Sequence, residues 1–170
     1  MKTIKKGNPK IKIPLEPLDK VIESLGIAGL ILLFLLPLIY FAELPESIPS
    51  HINAQGEVDA YSSKWSLFML PAIGLISYIG LFILNRYPHI YNYPRKINLE
   101  NAKYHYKIAT RFIRSINTLI IGLFAYLSYS IVQIALENRS GLESYYVFII
   151  ISFIACITIA YIFLSYRKKQ

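Results

Sequence analysis

The chain alternates long apolar stretches with polar segments, and its four longest apolar stretches contain no Lys, Arg, Asp, Glu or His. They occupy residues 24–42, 66–84, 115–136 and 145–166. A helix rises about 1.5 Å per residue, so roughly 20 apolar residues cross a hydrocarbon core of about 30 Å. Because these stretches are apolar on every side, the pattern predicts helices in lipid rather than the one-sided helices of a soluble bundle.

Composition strengthens this prediction. Of the 170 residues, 55% are hydrophobic and only 16% are charged, more apolar than one small soluble core accommodates. The single cysteine, Cys156, rules out a disulfide within the chain. We therefore predict an all-α integral membrane protein with four transmembrane helices.

The distribution of basic residues predicts the orientation. All but two of the 18 Lys and Arg residues, Lys64 and Arg139, lie before the first stretch, between the second and third, or after the fourth. Loops rich in Lys and Arg remain on the cytoplasmic side of a membrane, so both termini are expected inside the cell. The net charge of +8 does not predict nucleic-acid binding, because long apolar segments divide it.

The same pattern divides the chain into five parts. These are a basic cytoplasmic leader (1–23), a two-helix unit (24–84), a basic connection (85–114), a second two-helix unit (115–166) and a basic tail (167–170). In the connection, Asn98 is a candidate helix cap, and a basic amphipathic helix is predicted to follow it. We expect its basic side chains to contact the anionic inner surface of the bilayer; they are Lys103, Lys107, Arg111 and Arg114.

Small residues recur within two of the predicted spans. Ser152, Cys156 and Ala160 recur every fourth position in the last span, and Ser24 and Ala28 do so in the first. Such stripes let helices approach closely, so they predict helix contacts, including contacts in a homo-oligomer or a membrane complex.

The polar loop at 43–65 joins the first two predicted helices and differs from the rest of the chain. We expect it to be structured and to lie on the extracytoplasmic side. Two prolines favour an extended lead-in, and His51 and Asn53 would lie on the same side of an extended strand. Gly56 can adopt positive φ and reverse the chain, returning Asp59 near His51. The loop could then gather an imidazole, an amide and a carboxylate, with the Lys64 amine nearby, and it is our candidate binding loop.

The loop carries the pattern L-P-x-x-I-P-x-H-x-N-x-x-G-x-x-D, followed by S-K. Roughly residues 27–75 resemble domain of unknown function 1648, the N-terminal membrane domain of Sdp-type immunity proteins of bacteria. The resemblance implies membership in a family of multi-span proteins of the bacterial inner membrane. Some members protect the producer cell from a secreted peptide toxin and relay the toxin's presence to a cytoplasmic regulator. The matching residues are Leu44, Pro45, Ile48, Pro49, His51, Asn53, Gly56, Asp59, Ser63 and Lys64.

Other interpretations of the loop stay open. His51, Asn53 and Asp59 could serve only to order the loop between two helices, as Asn and Asp often do in turns. A His paired with a carboxylate could instead act in proton transfer or metal binding, as in an enzyme or a small transporter. An accessory subunit of a larger complex is a further alternative. Because the sequence has no nucleophile elbow, zinc-protease motif or phosphate-binding loop, we predict no catalytic residues, bound metal or cofactor.

Overall fold

A computed structural model describes residues 7–53 and 55–167. Its helices are α1 (Pro17–Tyr40), α2 (Met69–Leu84), α3 (Ala102–Ala135) and α4 (Ser144–Tyr166). Two antiparallel strands, β1 (Ser47–Ile52) and β2 (Val58–Ser63), form a hairpin between α1 and α2. Short 3-10 turns at Lys64–Phe68 and Pro88–Ile90 flank α2. The chain is mostly helical, and the predicted reversal of the loop at Gly56 is present. Its two arms pair as strands, which the all-α class did not include.

Four helical stretches in the described part of the chain are long and apolar enough to cross a membrane. They are Pro17–Tyr40, Lys64–Leu84, Ala102–Ala135 and Tyr145–Tyr166. The predicted number of membrane-length helices is therefore confirmed for the described residues. The basic lysines of the leader at 2, 5 and 6, and those of the tail at 168 and 169, lie outside the described residues.

Helix α1 begins at Pro17, within the predicted leader. Proline suits the first turn of a helix because its missing N–H has no helical partner there. The Asp19 carboxylate accepts a hydrogen bond from the backbone N–H of Glu16 at 3.0 Å, which satisfies one of the free donors at this helix start. Local capping chemistry thus extends the helix beyond its apolar stretch.

Helix α3 is continuous from the predicted basic connection into the third apolar stretch. Asn98 and Asn101 exchange side-chain hydrogen bonds with each other's backbone N–H groups, at 2.9 and 3.0 Å. The helix begins at Ala102, with Asn101 rather than Asn98 as its cap. No turn separates residues 114 and 115, so the amphipathic segment and the third span are one helix.

Helix α3 lies centrally and contacts α1, α2 and α4. The close contacts within the bundle depend on glycine. A Cβ on Gly26 would lie 2.9 Å from the Thr118 hydroxyl oxygen, and one on Gly74 would lie 2.7 Å from a methyl group of Leu33. Small residues at these positions let the backbones approach. Ser24 and Ala28, the predicted stripe on α1, are exposed, so they make no close helix contact within the described chain.

Helix α4 packs against α3 and leaves much of its surface uncovered. The rings of Phe112 and Tyr161 stack with centroids 4.5 Å apart. The predicted stripe of Ser152, Cys156 and Ala160 is exposed, so it makes no close helix contact within this chain.

Two opposite ends of the bundle can now be defined. The hairpin end comprises residues 41–68 and 136–143. The strap end comprises residues 85–101 and an N-terminal strap, residues 7–16, that crosses them. The Asn8 amide donates to the carbonyl of His89 at 3.1 Å, and the Tyr106 hydroxyl donates to the carbonyl of Pro9 at 2.8 Å. These bonds fasten the strap across the ends of α2 and α3.

Candidate functional site

The hairpin brings His51 and Asp59 together. Regular pairing is interrupted between Pro49 and His51 and again between His51 and Ile52, so the register leaves Asp59 without an opposing partner on β1. Such irregularities re-aim side chains. The His51 ring nitrogen Nδ1 lies 2.5 Å from an Asp59 carboxylate oxygen, and both side chains are well exposed. The predicted return of Asp59 to His51 is therefore observed.

Asn53 and Gly56 build the turn. The Asn53 side-chain oxygen accepts hydrogen bonds from the backbone N–H groups of Gln55 and Glu57, each at 3.0 Å. Gly56 has a φ of 86°, a region that residues with a Cβ rarely adopt. Asn53 thus acts on the backbone of the loop itself, as the structural interpretation of this residue predicted.

The hairpin tip rests on the loop that joins α3 to α4. The backbone N–H of Leu142 donates to the carbonyl of Gly56 at 2.9 Å. A Cβ on Gly141 would lie 2.5 Å from the same carbonyl oxygen, so only glycine permits this approach. At the base of the hairpin, Ile48 and Leu67 are buried against Val132 of α3. Contacts at both its tip and its base fix the hairpin relative to the helices.

Lys64 lies apart from the His51–Asp59 pair. Its amine is 2.9 Å from a carboxylate oxygen of Glu46 and 5.0 Å from the centre of the Phe41 ring. The loop residues predicted to gather in one site therefore divide into three groups. His51 and Asp59 form an exposed pair. Asn53 and Gly56 shape the turn. Lys64 forms an ion pair with Glu46 at the base of the hairpin.

A groove of about 650 Å³ lies beneath the hairpin, between α2 and α3. Its upper lip is polar and includes Ser50, His51 and Ser62. Its walls are apolar, with contributions from both helices; they include Met69, Leu70, Ile73, Leu127 and Ile131. Sequence reasoning identified His51 but not the groove, because no local pattern shows which faces of α2 and α3 leave a gap.

The hairpin end is acidic. Its two basic side chains in the described chain are already paired, Lys64 with Glu46 and Arg139 with Glu143, the latter at 3.5 Å. Three further carboxylates lack a basic partner among the described residues; they are Glu43, Glu57 and Glu137. The hairpin end therefore carries a net negative charge.

The described residues hold no group of three or more His, Cys, Asp or Glu side chains placed to bind a metal ion. The pair of His51 and Asp59 could hold or move a proton at the imidazole nitrogen, or contact a ligand directly. No third polar group completes a catalytic arrangement around them in the described hairpin.

The basic residues of α3 have partners that sequence reasoning missed. The Arg111 guanidinium contacts Asp19 at 2.8 Å and Glu16 at 3.0 Å. Lys107 lies 2.5 Å from Glu16, while Lys103 is exposed and makes no ion pair among the described residues. Hydrogen bonds from Lys107 and Arg111 lower the pKa of the Glu16 carboxyl from its ordinary value of 4.5.

Arg114 extends this network to Glu23, at 3.4 Å. The predicted contact of the basic residues with the anionic bilayer thus competes with carboxylates of the same chain. The spacing of Glu16, Asp19 and Glu23 places them on one helical face, a signal that could have revealed the pairing.

Tyrosines of the strap end pack on one another. The rings of Tyr93 and Tyr106 stack with centroids 5.5 Å apart, and Tyr91 stacks on Tyr93 at 6.1 Å. Burial raises the pKa of Tyr91 to about 12 and raises that of Tyr93 further. Tyr93 and Tyr106 therefore contribute to the packing beneath the strap.

Four membrane-length helices with an ordered β-hairpin after the first define a mostly helical, multi-span type of protein. Residues 28–75 match a family model described as Domain of unknown function (DUF1648). The match begins in α1, includes the whole hairpin and ends within α2, which confirms the resemblance carried by the loop motif.

One relative aligns over nearly the whole chain. It is an uncharacterized protein of Archaeoglobus fulgidus that is 27% identical over 171 aligned residues, covering 92% of this chain and 93% of that protein. No solved structure matches this chain.

Proposed function

We propose that this chain is an immunity-type or toxin-sensing membrane protein whose hairpin end contacts a secreted cationic peptide. The observation that carries the proposal is the groove beneath the hairpin, which has apolar walls and lies at the acidic hairpin end of the bundle. An amphipathic peptide could place apolar side chains between Ile73 and Ile131 and its basic side chains near Glu57 and Glu137. Charge complementarity of this kind directs association and orientation.

In this proposal, the hairpin end faces outward and the strap end faces the cytoplasm of the cell membrane. The excess of Lys and Arg at the strap end supports this orientation. In a Cys156→Ser background, a membrane-impermeant maleimide should label Glu57→Cys in intact cells and Lys96→Cys only after lysis. Labelling of Lys96→Cys in intact cells would contradict the orientation.

Groove binding can be tested with two matched α2 variants. Ile73 lines the groove, whereas Ile76 is 73% exposed and does not line it. The probe is a synthetic amphipathic peptide of Lys and Leu, compared with a Glu and Leu peptide of the same pattern. Purified protein should bind the Lys peptide, Ile73→Trp should block it, and Ile76→Trp should not. Equal binding of both peptides would refute the role of charge.

The protective role requires a cellular test. The synthetic Lys and Leu peptide would be added to cells that express the native chain, His51→Ala or Asp59→Ala. Both variants should lose protection while remaining at native abundance in the membrane. Full protection by both variants would remove the hairpin pair from the proposed contact surface and favour a purely structural role.

A second candidate function is that of an accessory subunit in a membrane complex. The exposed stripe of Ser152 and Ala160 on α4 favours it, because small residues allow a helix of another chain to approach closely. Purification in mild detergent should then recover a stoichiometric partner with the native chain but not with Ala160→Phe. Recovery of the chain alone in both cases would argue against this candidate.

A further inference from the structure

A second cavity lies at the strap end, remote from the hairpin. It has a volume of about 360 Å³ and lies between the strap, the start of α1, the end of α2 and the middle of α3. Its polar lining includes Lys12, Asp19, Glu23, Arg86 and Arg114. These side chains come from four parts of the chain and converge where α1 begins and α2 ends.

The charges inside this cavity do not cancel. Asp19 and Glu23 already face Arg111 and Arg114, at 2.8 and 3.4 Å, so their negative charges are balanced within the bundle. Lys12 and Arg86 are exposed at the rim, and neither has a carboxylate partner among the described residues. The cavity therefore carries an excess of positive charge.

The remaining surface of the cavity is suited to the part of a lipid that adjoins its headgroup. Ile13 and Leu15 of the strap and Phe82 of α2 provide apolar contacts. The Arg86 guanidinium lies over the Phe82 ring, 4.7 Å from its centre, which holds the charge at the cavity mouth.

A smaller void continues inward from the same residues. It is bounded by Phe82, Asn85 and Asn117, and its volume of about 10 Å³ is close to that of one water molecule. Asn117 is only 6% exposed, and its side-chain oxygen has no hydrogen-bond partner within the described chain. The Asn117 side-chain oxygen can therefore accept a hydrogen bond from a water molecule in this void, or from a hydroxyl group of a ligand in the larger cavity.

We propose that the strap-end cavity binds the phosphate group of an anionic phospholipid, with Lys12 and Arg86 as its cationic contacts. Basic pockets between membrane helices recognise such headgroups. This site is independent of the proposed function at the hairpin end. It also differs from the expected contact of α3 with the bilayer, because it uses basic residues that have no carboxylate partner in the described chain.

The test compares lipid binding by purified protein in neutral detergent, read by native mass spectrometry and by thermal unfolding. Phosphatidylglycerol should bind and raise the unfolding temperature more than phosphatidylcholine does. The double variant Lys12→Gln/Arg86→Gln should weaken phosphatidylglycerol binding about 30-fold, at about fivefold for each basic residue lost. Lys20→Gln/Lys96→Gln removes the same charge from exposed positions outside the cavity and should bind as the native protein does.

Each remaining outcome would overturn the proposal. An equal loss in both double variants would indicate a diffuse charge effect, and equal binding of the two lipids would exclude headgroup recognition. Stabilisation by inorganic phosphate without any effect of phosphatidylglycerol would identify a free-anion site instead. If Lys12→Gln/Arg86→Gln fails to fold, Lys12→Gln and Arg86→Lys replace it. Lys12→Gln should then bind about fivefold more weakly, whereas Arg86→Lys, which keeps its charge, should bind almost normally.

Discussion

Loss of Arg111 should destabilise the protein more than loss of any other basic residue on α3. Asp19 is 3% exposed, and Arg111 is its nearest cationic partner, through contacts of 2.8 and 3.3 Å. Arg114 is more distant, at 3.9 Å. Breaking a buried ion pair from one side leaves an uncompensated charge, at a cost of 3–5 kcal/mol when burial is complete.

The Arg111 side chain retains 27% exposure, so the lower end of that range applies. We expect Arg111→Met to lower the free energy of unfolding by about 3 kcal/mol. Lys103→Met, an exposed control on the same helix, should change it by less than about 0.5 kcal/mol. The measurement is equilibrium unfolding in mixed micelles, followed by circular dichroism.

A double variant separates the ion pair from simple loss of packing. Asp19→Leu should lower the free energy of unfolding by about 2 kcal/mol, because it removes both the hydrogen bond from the Glu16 N–H and the ion pair with Arg111. Asp19→Leu/Arg111→Met should cost about the same 2 kcal/mol, since no buried charge then remains unpaired. Costs that simply add, to about 5 kcal/mol, would refute the pairing argument.

Three further predictions concern the two ends of the bundle. Gly141→Ala should detach the hairpin tip and lower the free energy of unfolding by about 1–2 kcal/mol, because the added methyl group would clash with the Gly56 carbonyl. Gly122→Ala is the control, since its methyl group would meet no neighbour and should not destabilise the protein. Faster protease cleavage within the hairpin of Gly141→Ala would report the difference. Glu137 has a φ of 61° at the end of α3, so Glu137→Gly should raise the free energy of unfolding by about 1 kcal/mol, and a loss of stability would contradict this assignment. Because the pKa of Glu16 is lowered, its ion pairs stabilise the fold above its ordinary pKa of 4.5 and lose that contribution as the pH falls through the folded value. The difference in unfolding temperature between native protein and Glu16→Gln should therefore shrink as the pH falls below 4.5, and a constant difference would contradict this role of Glu16.

The number of membrane-length helices could be predicted because it depends on local composition. An apolar stretch of about 20 residues has few alternatives, since its backbone must satisfy its own hydrogen bonds in lipid. The helix bounds were less accurate. Pro17 with the capping of Glu16 by Asp19 extends α1 beyond its apolar run, and the paired Asn98 and Asn101 set the start of α3.

Part of the hairpin site was also predictable. His51, Gly56 and Asp59 are close in sequence, so one turn at Gly56 is enough to bring the pair together. The groove could not be predicted, because it depends on how far Ile73 of α2 and Ile131 of α3 are held apart. Long-range ion pairs raise the same difficulty, since Glu16 and Arg111 meet only after α1 and α3 have packed.

The continuity of α3 has a mechanical consequence. Its 34 residues form a rod of about 51 Å at about 1.5 Å per residue, well beyond the thickness of a hydrocarbon core. Val132 packs beneath the hairpin, and Tyr106 packs beneath the strap. If such a lever pivots near one end by about 5°, the other end moves by about 4 Å. A displacement of Ile131 at the hairpin end would therefore move Tyr106 beneath the strap, because α3 is continuous between the two residues.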